Sequence, residues 1–351
     1  MRSSTGQYYV GLDHIRGIAA FMVFAWHFIH INNNHLSEAT FLPLSFLSEG
    51  HTGVAVFMTL SGYLFTKLLD GRRIDYLPFI WNRALRLLPL LLLVILLVGA
   101  RDYFGDGNYL VYGKRVLSGL LLPTLPNGGW SITVEFHFYL LLPLLLYFSN
   151  RWQWAPFLVL ALAIVVRYEL HLLFGEVQTQ AYRTIIGRID QFVLGALAYR
   201  YRDLLGSRHG LTIFVFVGFA IFYWYFESVG GFYEHLGYPS PSGLWIVMST
   251  LEGLAYGTLI SWYDNSFEHS SGRISRFFAL IGTYSYSIYL LHFFIVFELG
   301  ELIDTHLVEL TNVYVALAFA PAAFLLMLPI GYLSYRFVES PFLRFRTRYI
   351  R

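Results

Sequence analysis

An arginine and a histidine in the first apolar segment are the residues of this chain best suited to chemistry. Arg16 and His27 belong to the stretch G-L-D-H-I-R-G-I-A-A-F-M-V-F-A-W-H, which begins at Gly11. Eleven residues are about three turns of an α-helix, so the two side chains lie on one face about 16 Å apart. Ionisable groups are costly inside a bilayer and mark functional sites there. We therefore predict His27 as a general base and Arg16 as an orienting or anion-binding group.

A plainer interpretation of the same stretch is structural. Asp13 and Arg16 stand at i and i+3, a spacing that favours an ion pair on a helix. In that case Asp13 holds the arginine in place, and His27 simply forms a hydrogen bond with a neighbouring helix. The sequence leaves both interpretations open.

A carboxylate deep in a later apolar segment is the next candidate. Glu135 follows Trp130 and Ser131 in N-G-G-W-S-I-T-V-E-F-H, which begins at Asn127. By its position in the span it lies at a depth similar to that of His27, so we predict that the two side chains meet. Deep carboxylates rarely serve packing alone, although an interhelical hydrogen bond is the alternative.

Two arginines enter the membrane together in P-F-I-W-N-R-A-L-R-L-L-P, from Pro78 to Pro89. Arg83 and Arg86 stand at i and i+3 on one helical face. Arginine geometry suits phosphate and pyrophosphate, so we predict an anion clamp. Snorkelling of basic side chains to the membrane surface explains many such arginines equally well.

Two further segments carry hydroxyl groups that are able to line a cavity. Ser61 and Tyr63 flank Gly62, whose small size favours close helix packing. Ser61 lacks the G-x-S-x-G context of a hydrolase nucleophile. The segment S-Y-S-I-Y-L-L-H contains Tyr286 and ends at His292. These hydroxyls and this histidine are candidates for lining a substrate cavity or for joining helices.

Composition places the chain in a membrane. Of its 351 residues, 56% are hydrophobic, 19% aromatic and only 13% charged, with a mean hydropathy of +0.55. A soluble domain carries about a quarter charged residues. The net charge of +2 does not indicate a nucleic-acid partner, and the absence of cysteine excludes disulfides, thiolate metal sites and a cysteine nucleophile. No H-E-x-x-H occurs and the histidines are scattered, so no metal site is predicted.

Apolar stretches near 20 residues predict an all-α polytopic membrane protein with about ten helices. No signal peptide precedes the first stretch, which we expect to remain as a span. No internal repeat appears, so residues 1–351 are predicted to form a single domain. The predicted spans are 14–31, 52–69, 86–100, 130–149, 154–174, 187–205, 211–227, 243–262, 278–298 and 313–335.

Basic residues in alternate loops predict that both termini are cytoplasmic. The cytoplasmic set is Arg2, Lys67, Arg72, Arg73, Arg83, Arg86, Arg151, Arg200, Arg202, Arg208, Arg273, Arg276, Arg336, Arg344, Arg346, Arg348 and Arg351. The opposite set is smaller and consists of Arg101, Lys114, Arg115, Arg167, Arg183 and Arg188.

Taken in order, these segments resemble the membrane-bound acyltransferase-3 family over nearly the whole chain. The resemblance rests on the Asp13-x-x-Arg16 to His27 element, on Ser61-Gly62-Tyr63-Leu64, and on Arg83 with Arg86-Leu87. It continues through Trp130-Ser131 with Glu135, the Ser285-to-His292 helix and the tail Y-R-F-V-E-S-P-F from Tyr335 to Phe342. Ile132 stands where the family often has leucine, and His14 replaces a small or polar residue.

The resemblance implies an O-acyltransferase that takes an acetyl or other short acyl group from cytoplasmic acetyl-CoA. The implied acceptor is a hydroxyl of a carbohydrate or lipid-linked glycan at the cell surface, and the implied location is the bacterial inner membrane. In this interpretation Arg83 and Arg86 hold the CoA phosphates and His27 is the base. Arg16, Asp13 and Glu135 complete the catalytic set, in which Glu135 accepts from the acceptor or orients His27. The donor-binding set also includes Ser61, Tyr63, Trp130, Ser131, Tyr286 and His292, of which Ser61, Tyr63 and His292 line the cavity. We expect no fused esterase-like domain, so transfer is completed in the membrane domain or with a separate partner.

The sequence leaves open both the route of transfer and the class of function. Transfer proceeds directly, or through an acyl group carried on His27. A transporter or flippase also uses buried Arg, His and Glu, although inverted halves and paired broken helices are missing. The expected partners are the acyl-CoA donor, the glycan acceptor and membrane lipids, and a second copy of the chain is compatible with the sequence.

Overall fold

The apolar stretches fold into α-helices in the computed structural model, which describes residues 9–31, 40–70, 72, 74–105, 107–233, 237–270 and 272–350. Arg2, Arg73 and Arg351 lie outside the described residues. The helices are α1 (Val10–Ile29), α2 (Ser45–Ser48), α3 (Gly53–Leu69), α4 (Tyr76–Phe104), α5 (Tyr109–Ser118), α6 (Trp130–Arg151), α7 (Ala155–Phe174), α8 (Gln178–Arg183), α9 (Ile185–Arg200), α10 (Arg202–Leu205), α11 (His209–Ser228), α12 (Met248–Ser266), α13 (Arg273–Leu291), α14 (Val296–His306), α15 (Val313–Leu325), α16 (Met327–Ser334) and α17 (Ser340–Leu343).

Seven helical stretches of the described chain are long and apolar enough to cross a membrane, which makes this an integral membrane protein. They are Gly50–Leu69, Tyr76–Phe104, Trp130–Arg151, Ala155–Phe174, His209–Ser228, Arg273–Phe294 and Val313–Leu343. The remaining three predicted spans coincide with α1, α9 and α12, which are helices but fall outside this set. Their crossing of the membrane, and the cytoplasmic side of the termini, stay predictions.

Several predicted spans differ from the helices that form. The span 187–205 is divided at Tyr201 between α9 and α10, 313–335 is divided at Leu326 between α15 and α16, and in 243–262 the helix α12 begins only at Met248. The span predicted at 86–100 begins ten residues earlier, at Tyr76, because Pro78 falls in the first turn, where its missing N–H breaks no hydrogen bond. The span predicted at 278–298 does not run through as one α-helix. α13 ends at Leu291, and the short turn His292–Phe294 separates it from α14.

Contacts at the two ends of α1 show the directions of its neighbours: α13 begins and α12 finishes near the start of α1, and α3 begins near its finish. We call the end where α1 begins the proximal end and the end where it finishes the distal end. Near the proximal end the His14 Nδ1 lies 2.9 Å from the Tyr263 hydroxyl, late in α12. Its Nε2 lies 2.9 Å from the carbonyl of Ser275, early in α13. Near the distal end the Trp26 ring packs against His51, which directly precedes α3.

Glycines allow the central helices to approach each other closely. A Cβ at Gly62 of α3 would overlap the main chain of Phe192 in α9, and one at Gly282 of α13 would overlap the main chain of Asp13. The prediction that Gly62 serves packing is therefore confirmed. The same contact at Gly282 brings α1, with its arginine and histidine, against α13, which ends directly before His292.

A buried ion pair holds α7 against α9. Arg167 Nη1 donates to Asp190 Oδ1 at 3.0 Å, and Arg167 Nη2 donates to Asp190 Oδ2 at 2.8 Å. Both side chains are fully buried. Arg167 Nε also donates to the carbonyl of Ile246 at 2.7 Å. Two arginines that the sequence assigned to the opposite-side loops, Arg167 and Arg188, are therefore buried inside the bundle.

Asp190→Asn is expected to lower the free energy of unfolding by about 3–5 kcal/mol, because it leaves the Arg167 charge buried without its partner. Asp70→Asn is the matched control, since the Arg202–Asp70 pair at 3.6 Å is accessible to solvent on both sides and surface pairs contribute about 0–1 kcal/mol. Denaturant unfolding of the purified protein in mild detergent measures both. Equal stability of the two variants would contradict a structural role for the buried pair.

Candidate active site

A polar cavity lies between α1, α3, α4, α6 and α13, towards the proximal end. Its volume is about 100 Å³. We call it the proximal chamber. Its polar and charged lining residues are Arg16, Ser61, Arg83, Arg86, Ser131, Glu135, Ser285, Tyr286 and Tyr289. The structure therefore gathers seven of the twelve residues predicted for the site, from five helices, around one cavity.

Positive charge is in excess around the proximal chamber. Arg16 forms the predicted ion pair with Asp13. The guanidinium of Arg83 lies over the ring of Phe65, 5.2 Å from its centroid, and its Nε is buried without a hydrogen-bond partner in the described part of the chain. Neither Arg83 nor Arg86 forms an ion pair with a described carboxylate. Such a cluster favours a bound anion.

The C-terminal tail adds a third arginine beside this pair. Asn82 exchanges two hydrogen bonds with the main chain of Thr347, at 2.6 and 2.9 Å, and Ile74 pairs with Ile350 in an antiparallel bridge. These contacts fix the tail against the beginning of α4. Arg346 is thereby held in the tail next to Arg83 and Arg86.

The surroundings of Arg346 reflect this crowding of like charges. Burial, and then the neighbouring charges of Arg86 and Arg83, lower the pKa of Arg346 to about 10. Its Nε and Nη2 are buried without a hydrogen-bond partner among the described residues. The sequence counted Arg346 only as a basic tail residue. Its contact with α4 depends on long-range pairing that no local pattern reveals.

A larger cavity, of about 630 Å³, opens towards the distal end. We call it the distal chamber. It contains His27, and its wall is mostly aromatic. The described lining residues are Val23, Trp26, His27, Val54, Arg115, Pro123, Thr124, Leu125, Gly128, Trp130, Tyr182, Arg183, Phe232, Tyr233, Tyr238, Tyr289, Phe293 and Phe297.

Hydrogen bonds fix the tautomers of His27 and His292. His292 Nδ1 lies 2.7 Å from the Tyr289 carbonyl, which only accepts, so the proton is on Nδ1 and Nε2 is an acceptor. His27 Nδ1 lies 3.2 Å from that Nε2 and 2.8 Å from the carbonyl of Val23. It therefore carries the proton and donates to both. The lone pair of a neutral His27 is left on Nε2, which has no hydrogen-bond partner among the described residues and is available to accept a proton.

The two chambers meet at a thin partition. Val54 of α3 and Tyr289 of α13 line both of them. The Tyr289 hydroxyl donates to the carbonyl of Gly128 at 3.2 Å, which ties α13 to the loop before α6. A slender chain that passes between these two side chains would join the arginines to His27. Sequence analysis missed both residues, although Tyr289 lies in the hydroxyl-rich segment that it singled out.

Some predicted site residues lie elsewhere than expected. Tyr63 lines neither chamber, and its hydroxyl donates to Asp264 at 2.6 Å and accepts from Asn265 at 2.9 Å. Trp130 faces the distal chamber rather than the arginines. We predicted that Glu135 meets His27. Glu135 instead lines the proximal chamber and accepts a hydrogen bond from Tyr139, and the imidazole beside His27 is that of His292.

The chain matches a known protein family over most of its length and is similar to bacterial O-acetyltransferases. The family model described as an acyltransferase domain matches residues 9–336. The chain is 25% identical to the O-acetyltransferase OatA of Staphylococcus aureus (strain NCTC 8325 / PS 47), over 95% of this chain and 57% of the relative. It is 24% identical to the peptidoglycan O-acetyltransferase OatA of Listeria monocytogenes, over 95% of this chain and 56% of the relative.

A shorter similarity joins the chain to a protein from another bacterium. It is 31% identical to nodulation protein 10 of Rhizobium leguminosarum bv. viciae, over 40% of this chain and 44% of that protein. The chain thus spans little more than half the length of the O-acetyltransferases it matches. No solved structure matches it.

Proposed function

Because the chain belongs to the acyltransferase-domain family, we propose that it is a membrane O-acetyltransferase. It moves an acetyl group from acetyl-CoA to a hydroxyl of a carbohydrate acceptor. The observation that carries this proposal is the free Nε2 of His27 in a chamber that adjoins a second, arginine-lined chamber. One chamber suits an anionic donor, and the other holds a base where an acceptor can enter.

On the donor side, Arg83, Arg86 and Arg346 bind the phosphates of CoA at the proximal end. Three neighbouring guanidinium groups repel one another, and phosphate oxygens relieve that repulsion with charge-assisted hydrogen bonds. The excess of basic residues at this end supports its assignment to the cytoplasm, where acetyl-CoA is made. Arg16, held by Asp13, then lies alongside the pantetheine arm.

At the reacting centre, His27 Nε2 takes the proton from the acceptor hydroxyl as its oxygen attacks the thioester carbonyl. The new C–O bond forms and the C–S bond breaks. The proton on His27 then passes to the departing sulfur, which leaves as the CoA thiol. His292 orients the imidazole through the Nδ1 hydrogen bond, as the second group of a base–orienter pair does.

The proposal is tested by CoA release from acetyl-CoA in nanodiscs that contain the purified protein, with a panel of oligosaccharides as acceptors. We expect release that depends on acceptor and that yields acetylated sugar by mass spectrometry. A folded sample that neither binds acetyl-CoA nor releases CoA with any acceptor would contradict the proposal and would favour a transporter.

A substitution that blocks the contact between the two chambers is expected to separate acetyl-CoA binding from acetyl transfer. In Val54→Trp the indole occupies the contact between the chambers, so the thioester is held back from His27. Misplacement of reacting atoms by about 1 Å costs about 10²-fold in rate, and we expect at least that loss in kcat with little change in the KM for acetyl-CoA. Val54→Ala, which widens the passage, is expected to retain transfer. Full activity of a folded Val54→Trp protein would show that the acyl group travels by another route.

A further inference from the structure

The part of the distal chamber's wall that the structure describes carries cationic groups and no acidic ones. Among the described lining residues Arg115 and Arg183 are the permanently charged groups, and no aspartate or glutamate joins them. Aromatic rings such as those of Trp26, Trp130 and Tyr233 form much of the remaining surface. A ligand of this chamber therefore meets flat apolar faces with polar edges and a local excess of positive charge.

Arg183 is the more enclosed of the two cations. It is the last residue of α8, and its guanidinium lies 5.0 Å from the centroid of the Tyr238 ring. Its Nε is buried and has no hydrogen-bond partner in the described chain. It also forms no ion pair with a described carboxylate. A guanidinium does not lose its charge, so a partly buried one without a counter-ion is costly.

Neighbouring arginines are treated differently by the fold. Arg167 is paired with Asp190 at 2.8 Å, and Arg188, five residues after Arg183, is paired with Glu252 at 3.4 Å. The chain therefore supplies its own carboxylates to the arginines that hold helices together. Arg183 faces the chamber without such a partner among the described residues, as expected of an arginine whose counter-ion arrives with a ligand.

We infer that the acceptor is an anionic carbohydrate, whose carboxylate or phosphate group pairs with Arg183 while one of its hydroxyls reaches His27. This inference rests on the proposed function and names its substrate class. Both residues line one chamber, so a single oligosaccharide can contact both. The planar fork of arginine matches carboxylate and phosphate oxygens in pairs, which fixes the sugar's orientation as well as its affinity.

Paired acceptors test the inference by binding. One pair is an oligosaccharide with a uronic acid and its methyl ester, and another is a phosphorylated oligosaccharide and its dephosphorylated form. Quenching of tryptophan fluorescence in nanodiscs reports occupancy, because Trp26 and Trp130 line the chamber. Hydrogen bonds to charged groups predict that the wild type binds the anionic member of at least one pair about tenfold tighter or more. If the uronic acid pair shows this preference, the recognised group is a carboxylate. If the phosphorylated pair shows it, the recognised group is a phosphate.

Variants locate the preference at Arg183. Arg183→Gln is expected to bring the anionic and neutral members within about twofold of each other, and Arg183→Lys to keep part of the difference. Lys114→Gln, at an exposed residue outside the lining, is the control and keeps the wild-type preference. Absence of any preference in the wild type, including failure of every sugar to bind, overturns the inference. A preference that survives in Arg183→Gln overturns it too.

Acetyl transfer, followed in the same samples, keeps the two claims apart. Transfer to the neutral members at the same rate as to the anionic ones would overturn the inference and leave the O-acetyltransferase function standing. Selective binding of anionic sugars through Arg183 with no CoA release under any condition would support an anionic-sugar site at Arg183 and contradict the proposed acetyl transfer.

Discussion

His27→Ala is expected to lower kcat for acetyl transfer by about 10²–10⁴-fold, the usual contribution of a positioned general base. The KM for acetyl-CoA should change little, because the lost Nε2 acts on the acceptor proton and not on the CoA phosphates. His27→Gln should be equally slow, since an amide cannot take up a proton at this position. Steady-state CoA release and acetyl-sugar formation measure both constants.

The matched control for this variant lies one helical turn away. His30 is on the same helix, its Nδ1 lies 2.7 Å from the carbonyl of Trp26, and it does not belong to the described lining of either chamber. His30→Ala should therefore retain kcat within a few-fold. A His27→Ala protein that transfers acetyl groups at the wild-type rate would rule out the general base.

Direct transfer and transfer through an acyl-histidine predict different products when acetyl-CoA is added without acceptor. If His27 carries the acetyl group, one equivalent of CoA is released from acetyl-CoA alone and the protein gains the mass of an acetyl group. Direct transfer gives neither. Both routes use Nε2 of His27, so the geometry of the imidazole does not distinguish them. CoA release in the absence of acceptor does.

The double variant Arg83→Ala/Arg86→Ala is expected to raise the KM for acetyl-CoA by about 10²–10⁴-fold. Each hydrogen bond to a charged phosphate contributes about 1.5–3 kcal/mol, and each 1.4 kcal/mol is about tenfold in affinity. The loss of two such bonds gives the expected range. Extrapolated kcat should change far less, because neither residue reaches the thioester.

Arg101→Ala provides the control on the same helix. Arg101 lies in the last turn of α4 and is exposed, so its loss removes a charge without touching the cluster. Its KM should stay at the wild-type value. If the double variant loses kcat at unchanged KM, the arginines do not hold the donor and the assignment of the proximal chamber is wrong.

The spacing within one helix was sufficient to predict the elements of the site, but not their partners. Arg16 and His27 share α1, and Arg83 and Arg86 share α4, so local periodicity indicates which side chains act together. His292 lies 265 positions from His27, and its contact depends on the crossing of α1 and α13. No spacing rule reports such a crossing, and depth in the span pointed to Glu135 instead.

Helix ends and buried charges explain the other differences. The span predicted at 86–100 left out the first turns of α4, where Pro78 is tolerated because its missing N–H breaks no helical hydrogen bond. Arg167 reads as a loop arginine near the end of a span. Its carboxylate partner Asp190 lies in α9, 23 positions away, and the pairing makes its burial tolerable.

The central claim is that donor and acceptor reach one base from opposite ends of the bundle. It is tested most directly in proteoliposomes with a single orientation, checked by protease cleavage of a tag added to one terminus. Acetyl-CoA is confined to one side of the membrane. An acceptor oligosaccharide that does not cross the membrane is confined to the opposite side. We predict acetylated sugar only when acetyl-CoA faces the proximal end and the sugar faces the distal end, and none in His27→Ala. Equal transfer with both substrates on the same side would contradict the account.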